Sequence, residues 1–418
     1  MADFQAPKGT HDVLPPASAR WQHMVAVFAQ TCGRAGYGLI QSPMFEDVGV
    51  FARVGEGTDV VTKEMYEFTD KGGRALALRP EGTASVARAF AEHRPPTPWK
   101  VWYAAPSFRY ERAQANRYRQ HHQLGLEAIG SADPDLDVEV IALLGDFYRA
   151  LGLRQVDLVI NSIGTPDDRA IYVAELQRFL RDHLAQLPAE DAARVESHPM
   201  RVLDSKSAET AQVVAHAPLL IDSLSPDAGE HFDRVQAGLT AAGLDFRIEP
   251  RLVRGLDYYT HTAFEFQSGA LGGAQNTIGG GGRYDGLIQE LGGPPTPGIG
   301  FGTGIERILA TCDAEGVFGV PLSRVEVFVI DLTGGDGARD LTRSLRRDGI
   351  GADRAFGGGG YKSQEKQANR VSAPILVTLR SEGYTVAASP SVSEALSAAV
   401  ASVIASQPGL TPLPKDHL

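Results

Sequence analysis

Cysteine is scarce in this sequence, and other features that mark large classes of protein are missing. Only Cys32 and Cys312 occur among 418 residues, and they lie far apart. We therefore expect neither a disulfide framework nor a Cys/His metal site. No apolar run approaches the roughly 20 residues that span a bilayer. The first residues show no secretory leader pattern. These absences predict a cytoplasmic protein without a membrane partner.

An excess of positive charge is also missing, because the formal net charge is −11. This argues against indiscriminate nucleic-acid binding, which needs a broad basic surface, but it allows a local basic site. Residues 165–245 carry seven Lys/Arg against fourteen Asp/Glu, and residues 325–418 carry ten of each. Residues 108–122 carry four arginines against one glutamate. The basic patch is therefore short and sharply bounded.

The length and the order of predicted elements indicate several domains. Residues 1–164 and 246–322 predict a core of alternating strands with flanking helices. Residues 165–245 predict an inserted, mostly helical domain. Residues 325–418 alternate strands with helices, which is typical of a small α/β domain with a parallel-type sheet. Arginines and lysines on the first two helices of that domain either face a phosphate backbone or form a solvated helix face.

Two polar stretches stand out in the first half of the chain. In the first, Glu81 and Thr83 lie between a predicted hairpin at 66–79 and a helix at 84–93. They either cap that helix or contribute to a site. In the second, residues 120–129 alternate, so a strand would place Gln123 and Glu127 on one face with Arg109 of the preceding strand. That face is either solvated or a ligand platform.

Two further stretches lie in the second half of the core. Residues 251–266 carry Arg254, then Tyr258 and Tyr259 ahead of an alternating strand; they form either a polar pocket or a surface ion pair with half-buried tyrosines. Residues 297–309 predict a glycine-rich strand running into a helix that carries Arg307. Such a junction suits a nucleotide, although it matches neither a P-loop nor the dinucleotide fingerprint.

The chemistry that these stretches favour takes place at phosphorus. No nucleophilic Ser or Cys stands in a recognisable setting, whereas arginines recur. Guanidinium groups bind phosphate oxygens bidentately and stay charged. Such a site acts by positioning two substrates and neutralising charge while they react with each other.

Taken together, these stretches resemble the histidyl-tRNA synthetase family of class II aminoacyl-tRNA synthetases. The resemblance covers nearly the whole chain. It rests on segment 7–12, on the predicted helix and strand that end at Pro43 and resemble motif 1, on 108–123, which resembles motif 2, and on 302–307, which resembles motif 3. Most specific are 252–260 and 281–285. It implies an α+β catalytic core built on an antiparallel sheet with flanking helices, a mainly helical insertion and a C-terminal α/β anticodon-binding domain.

The resemblance also implies roles for individual residues. Arg109 and Arg254 would be catalytic at the α-phosphate, Glu111 would orient the nucleotide, and Arg307 would hold the γ-phosphate. The ATP-binding set would be Arg109, Glu111, Arg117, Arg254 and Arg307. The histidine-binding set would be Glu81, Gly82, Thr83, Arg109, Gln123, Glu127, Arg254, Tyr258, Tyr259 and Tyr284. Which of Tyr258 and Tyr259 contacts the imidazole stays open at this point.

The implied substrates are ATP with Mg²⁺ on its phosphates, L-histidine and tRNA(His), and the implied assembly is a homodimer. The alternative is a histidine-sensing paralogue without catalysis, of the type found as a regulatory subunit of ATP phosphoribosyltransferase. Such paralogues usually lack a C-terminal domain and the arginines. Ala113 and Asn116 depart from the family's usual motif 2 loop, and residues 378–383 depart from the expected pattern in the C-terminal domain.

Overall fold

An eight-stranded sheet organises the first of two units, Met1–Val320 and Pro321–Leu418, in a computed structural model of the chain. The structure describes residues 4–55, 60–111, 117–203, 205, 207–252, 258–272, 276–321 and 325–414. The strands of the first unit are β1 (Gly38–Leu39), β2 (Phe45–Asp47), β3 (Tyr66–Thr69), β4 (Ala75–Leu78), β5 (Trp99–Phe108), β6 (Gln120–Ile129), β7 (Val156–Ser162), β8 (Phe246–Ile248), β9 (Thr260–Ser268), β10 (Thr277–Arg283) and β11 (Gly298–Gly304). Its helices are α1 (Ala17–Arg34), α2 (Val48–Gly55), α3 (Thr83–His93), α4 (Pro134–Ala150), α5 (Pro166–Asp182), α6 (Ala189–Arg194), α7 (Pro199–Val202), α8 (Ala208–Val214), α9 (Pro226–Ala241), α10 (Leu287–Glu290) and α11 (Ile305–Glu315).

The large sheet has the order β1-β5-β6-β11-β10-β9-β7-β8 and is antiparallel through its six central strands. Only the two edge strands pair in parallel, β1 with β5 and β8 with β7. Strands β2, β4 and β3, in that order, form a separate small sheet. Such a sheet with flanking helices confirms the α+β class predicted for the core.

Alternation along β6 explains how one strand serves both a core and a site. Leu124, Leu126 and Ala128 pack into an apolar cluster together with α1 and α4. Gly125 and Glu127 point to the opposite face, because successive side chains of a strand alternate. Helix α4 begins where Asp133 accepts a hydrogen bond from the Asp135 amide, followed by proline at the first helical position.

The glycine-rich segment before Arg283 is a central strand. Backbones approach so closely there that a Cβ on Gly281 would lie 1.9 Å from the Gly300 carbonyl oxygen. The predicted strand at 37–43 is shorter than expected: only Gly38–Leu39 pairs. Pro43 has no amide hydrogen to donate to a strand partner.

Helices occupy most of residues 165–245, yet they join two different apolar clusters. Tyr172 and Leu176 of α5 pack with Val202 and Val213, whereas Phe232 of α9 packs into the cluster that contains α1 and α4. Helix α9 thus packs against α4 and against β9 of the large sheet. The domain boundaries at 165 and 245 stay a prediction.

The second unit contains β12 (Val327–Asp331), β13 (Ala352–Arg354), β14 (Ile375–Arg380) and β15 (Gly383–Ala388), with α12 (Gly337–Arg347), α13 (Tyr361–Val371) and α14 (Glu394–Ala405). Strand β12 pairs in parallel with β13 and β14, as expected, but β15 pairs antiparallel with β14 through a tight turn at residues 381–382. The sheet is therefore mixed. Among the described residues of both units, no helix has the length and apolar character needed to cross a membrane.

Candidate active site

A cavity of about 390 Å³ opens over β6, β10 and β11. Five of the residues predicted for the site line it: Arg109, Glu111, Arg117, Gln123 and Arg307. They come from the end of β5, the segment before β6, β6 itself and the first turn of α11. The strand–helix junction between β11 and α11 therefore brings Arg307 to the same cavity as Arg109 and Arg117.

Each arginine of this cavity is held by one oxygen that fixes its direction. The Nε of Arg109 donates to the Pro80 carbonyl at 3.0 Å, and Nη1 of Arg307 donates to the Thr277 carbonyl at 2.9 Å. Arg117 pairs with Glu111 at 3.1 Å. Burial, followed by the nearby charge of Arg117, lowers the pKa of Arg307. A guanidinium has five N–H donors, so this cluster of cations can also bind an anion.

His121 was missed by the sequence reasoning, although it lines the same cavity. Burial, and then the charge of Arg109, lowers its pKa to about 3, so the imidazole is neutral at ordinary pH. The signal that could have found it is the alternation of β6. His121 lies two and six residues before the polar positions Gln123 and Glu127, on the same face of the strand.

Farther along β6 from the cavity-lining Gln123, buried polar side chains cluster around Glu127, which is 0% exposed. We call this cluster the buried pocket. Oε1 of Glu127 accepts a hydrogen bond from Thr83 Oγ1 at 2.7 Å, and Oε2 accepts one from the Tyr284 hydroxyl at 2.6 Å. The Tyr103 hydroxyl approaches Oε1 to 3.5 Å. Tyr103 is a second residue that the sequence reasoning missed. The solvated-face alternative for β6 does not hold at Glu127, because the carboxyl is buried.

Burial also determines the protonation of this carboxyl group. Desolvation raises the pKa of Glu127 to about 8, although the hydrogen bonds from Tyr284 and Thr83 lower it; the nearby Glu81 raises it further. A carboxyl with a pKa near neutrality can accept a hydrogen bond as carboxylate or donate one when protonated. A neutral imidazole, with one donor and one acceptor nitrogen, suits either form.

Glu81 and Thr83 do more than cap helix α3. Oε1 of Glu81 accepts from the Ala84 amide at 3.2 Å, and Oε2 accepts from the Tyr258 hydroxyl at 2.9 Å. The helix cap position is Gly82, which makes no side-chain cap, while the hydroxyl of Thr83 donates to Glu127. Capping alone is therefore the wrong interpretation of this segment. The strand-to-helix junction delivers both residues to the buried pocket.

Glycines leave the space that the aromatic rings around Glu127 occupy. A Cβ on Gly82 or Gly125 would lie 2.2 or 2.1 Å from Cζ of Tyr103, and a Cβ on Gly298 would lie 2.4 Å from the Tyr284 ring. These distances are far below van der Waals contact. The glycines of this region are therefore needed for space around the aromatic rings.

Both tyrosines of the 251–266 segment are buried, and both precede β9. Their ring centroids lie 4.6 Å apart, and the Tyr258 ring also meets Tyr284 edge-on at 6.0 Å. The Tyr258 hydroxyl reaches Glu81. Because neither tyrosine lies in regular strand, alternation does not separate them onto opposite faces. The alternative of half-buried surface tyrosines is wrong.

Arg254, predicted as catalytic, lies outside the described residues, as do Ala113 and Asn116 of the motif 2 loop. The chain just before Arg254 is described. There, Asn161 of β7 donates to the carbonyls of Pro250 and Leu252 at 3.2 and 3.1 Å.

Arg283, beside Tyr284, has a structural environment. Its guanidinium is fully buried, forms an ion pair with Asp137 of α4, and donates to the Ser131 carbonyl at 2.9 Å. Asp137 also accepts from Thr262 at 2.6 Å, and its Oδ2 lies 2.8 Å from His231 Nε2. Breaking such a buried pair by removing one partner is strongly destabilising. This network ties β10 and β9 to α4 and α9 behind the site.

In the second unit, several charged residues of α12 form local ion pairs. Arg339 pairs with Asp336 and Asp340, and Arg346 pairs with Asp353. These pairs favour the solvated-face interpretation for that part of α12. Exposed pairs of this kind are weak, so they leave the arginines able to exchange partners.

Comparisons with known proteins agree with one another over most of the chain. The profile of the family described as "Histidyl-tRNA synthetase" matches residues 9–308. The Histidine--tRNA ligase of Desulforamulus reducens is 46% identical over 385 residues, covering 90% of this chain and 91% of its own length. That of Saccharopolyspora erythraea is 47% identical over 387 residues, with 91% of each covered. The apo histidyl-tRNA synthetase of S. aureus superposes with a TM-score of 0.75 at 35% identity, covering 90% of this chain and 91% of that structure.

Proposed function

The chain belongs to the histidyl-tRNA synthetase family, and we propose that it ligates L-histidine to tRNA(His) with ATP through a histidyl-adenylate intermediate. One structural observation carries the proposal beyond family membership. The buried carboxyl of Glu127, held by Thr83 and Tyr284, lies in a polar pocket beside an arginine-lined cavity. A selective site for a small polar side chain thus adjoins a site for polyphosphate.

The arginine-lined cavity is the proposed ATP site. In this proposal Arg109 neutralises the α-phosphate, Glu111 orients the nucleotide, and Arg117 and Arg307 hold the outer phosphates. Arg254 acts at the α-phosphate beside Arg109. A site of fixed cations stabilises the charge that develops during phosphoryl-type transfer without forming a covalent enzyme intermediate.

The pocket around Glu127 is the proposed histidine site. Glu81 and Thr83 hold the α-amino group, with Gly82 leaving room for Tyr103, and Gln123 supports the amino-acid end. Glu127, Tyr258, Tyr259 and Tyr284 surround the imidazole. Apolar amino acids would leave these buried groups unpaired, and sites built on such contacts discriminate strongly against them.

The proposed reaction has two steps. An oxygen of the histidine carboxylate attacks the α-phosphorus of ATP, the bond to the bridging oxygen breaks, and pyrophosphate leaves. A hydroxyl of the terminal ribose of tRNA then attacks the carbonyl carbon of the adenylate, and AMP leaves. Arg109 and Arg254 stabilise the charge on the α-phosphate in both steps. Replacing Arg254 by Ala should slow pyrophosphate exchange more than about tenfold, about 1.4 kcal/mol of barrier.

Mg²⁺ enters this proposal as an ion carried by the ATP phosphates. Among the described residues no group of three His, Cys, Asp or Glu side chains could hold a metal ion. Glu265 and Glu111 do line the cavity. This fits Mg²⁺, which is usually held by one or two carboxylates together with substrate phosphates. Glu265 is the proposed carboxylate partner, and the ion would neutralise charge on the outer phosphates.

The remaining proposed partners are a second copy of the chain and tRNA(His). A homodimer is supported by apolar side chains around β1 to β3, where Leu39, Met44 and Phe45 are at least half exposed. The second unit would bind the anticodon of tRNA(His). Because aminoacylated tRNA is consumed in translation, the proposed location is the cytoplasm.

The histidine-sensing, catalytically inactive paralogue has less support. Relatives named Histidine--tRNA ligase match about nine-tenths of the chain at 46–47% identity, and Arg109, Arg117 and Arg307 line the cavity. Histidine-dependent exchange of labelled pyrophosphate into ATP, followed by histidylation of tRNA(His), tests the choice. A protein that binds histidine but catalyses neither reaction would contradict the proposed function.

A further inference from the structure

Helix α5 reaches the proposed histidine pocket through one arginine. Nη2 of Arg169 donates a hydrogen bond to the main-chain carbonyl of Tyr259. The start of α5 is rigid, because Thr165 and Asp168 form a reciprocal capping box with bonds of 3.1 and 2.9 Å. Asp168 also accepts from the Ser225 amide at 2.9 Å. Arg169 therefore extends from a fixed base.

A second contact joins the same helical segment to the chain before the tyrosines. Nη2 of Arg251 donates to the Ala215 carbonyl at 3.0 Å. The adjoining turn is tied to α5, since the Tyr172 hydroxyl donates to the Pro218 carbonyl at 3.0 Å. Residues 165–245 thus contact the segment 251–259 at both of its ends, at Arg251 and at Tyr259.

The position of the Tyr259 carbonyl affects the pocket directly. The Tyr259 ring packs against the Tyr258 ring, and the Tyr258 hydroxyl is bonded to Glu81. A Cβ on Gly282 would lie 2.9 Å from Cδ1 of Tyr259, so the ring rests on β10. Rotation of the peptide after Tyr259 would shift the Tyr259 ring and, through their contact, the Tyr258 ring. Neither tyrosine is among the lining residues of the arginine-lined cavity.

We propose that Arg169 is a positioning residue that fixes Tyr258 and Tyr259 for histidine, so that residues 165–245 control amino-acid binding separately from ATP binding. The inference rests on the proposed function and deepens it. In this role Arg169 acts through the Tyr259 carbonyl and not through a contact with substrate. A hydrogen bond from a charged donor to a carbonyl is strong enough to hold one peptide orientation over its alternatives.

The test is steady-state ATP–pyrophosphate exchange on the full chain, with histidine and ATP varied separately. Arg169→Met removes the donors and keeps much of the side-chain length. It should raise KM for histidine about tenfold, about 1.4 kcal/mol, with KM for ATP and kcat changed less than about twofold. Arg169→Lys keeps a cationic donor and should recover part of the loss. Arg178→Met, an exposed arginine of the same helix, is the matched control and should behave as the parent.

Several outcomes would overturn the inference while the parent remains active. KM for histidine could stay unchanged in Arg169→Met, KM for both substrates could rise together as in general loss of structure, or Arg169→Lys could show no recovery. If Arg169→Met does not fold, Arg169→Gln replaces it, since the shorter neutral amide cannot span to the carbonyl and should give the same selective rise. A parent without histidine-dependent exchange would contradict the proposed function itself.

Discussion

Gly300 lies directly opposite Glu127 across strands β11 and β6, and a Cβ on Gly300 would lie 1.8 Å from Oε2 of that glutamate. The buried carboxyl thus occupies the space that any side chain at position 300 would need. The same oxygen accepts the hydrogen bond from Tyr284. The position of the Glu127 carboxyl therefore requires that residue 300 have no side chain.

Gly300→Ala should therefore disable histidine activation. The added methyl must displace the Glu127 carboxyl, and overpacking of this kind costs about 1–3 kcal/mol. We expect histidine-dependent pyrophosphate exchange to fall at least about 100-fold in kcat/KM, about 2.7 kcal/mol. Gly229→Ala is the control, because a Cβ there meets nothing within 4 Å in helix α9. Parent-like exchange in Gly300→Ala would show that the carboxyl position is not required.

The raised pKa of Glu127 predicts a pH-dependent stability. With burial raising its pKa from 4.5 to about 8, the folded chain holds a proton that the unfolded chain has already released. The resulting stabilisation is complete below about pH 4.5 and is lost as the pH rises through about 8. Glu127→Gln removes this dependence, so the unfolding free energy of the parent, relative to the variant, should fall by up to about 1.4 kcal/mol per pH unit in that window.

The three tryptophans, Trp21, Trp99 and Trp102, all lie in the first unit, which also contains Glu127. Their fluorescence during urea unfolding therefore reports the free energy of unfolding of that unit. Curves for parent and variant that stay parallel across the pH range would contradict the prediction.

Tyr258→Phe should weaken histidine binding without affecting ATP. The change removes the hydroxyl that donates to Glu81 at 2.9 Å and leaves a buried carboxylate oxygen with one partner fewer. Hydrogen bonds to charged groups contribute about 1.5–3 kcal/mol, so KM for histidine should rise roughly tenfold or more. Tyr37→Phe deletes a comparable bond, 2.8 Å to Glu139, outside the site. Equal effects of the two changes on histidine KM would argue against a specific role of Tyr258.

Arg307→Lys should impair use of ATP more than of histidine. A lysine keeps the charge but loses the planar fork that binds two phosphate oxygens. We expect KM for ATP to rise about tenfold, about 1.4 kcal/mol, and Arg307→Ala to lose more. Arg149→Ala, which removes an exposed arginine paired with Asp146, should leave the exchange rate unchanged. A histidine KM that rises as far as the ATP KM would contradict the assignment of Arg307 to the nucleotide.

Local patterns predicted the strands and helices that carry the candidate site, but not the contacts that depend on packing between distant segments. The alternation of 120–129 indicated Gln123 and Glu127. His121 lies on the same face of that strand, but alternation alone does not mark it as a residue that lines the cavity. Tyr103 lies in β5, directly after Val101 and Trp102. Its position becomes meaningful only through the glycines that face it, since no local pattern reveals contacts between distant strands.

Arg169 shows a second kind of limit. Residues 165–245 contain no constellation of catalytic residue types, so the sequence offered no reason to connect them with the pocket. The contact is made by a side chain to a main-chain carbonyl, and main-chain acceptors are identical at every position. Only the folded geometry identifies which carbonyl matters.

The side chains of the proposed histidine pocket are themselves packed against glycines, at positions 82, 125, 298 and 300. Attempts to re-engineer the enzyme for a bulkier amino acid usually enlarge a pocket by trimming the residues that surround it. Here those positions are already at the smallest size that the genetic code offers. Room for a larger substrate would have to come from Tyr258 or Tyr284, and replacing either one removes a hydroxyl that donates to Glu81 or Glu127. Substrate range and polar recognition are thus governed by the same few side chains and cannot be redesigned separately.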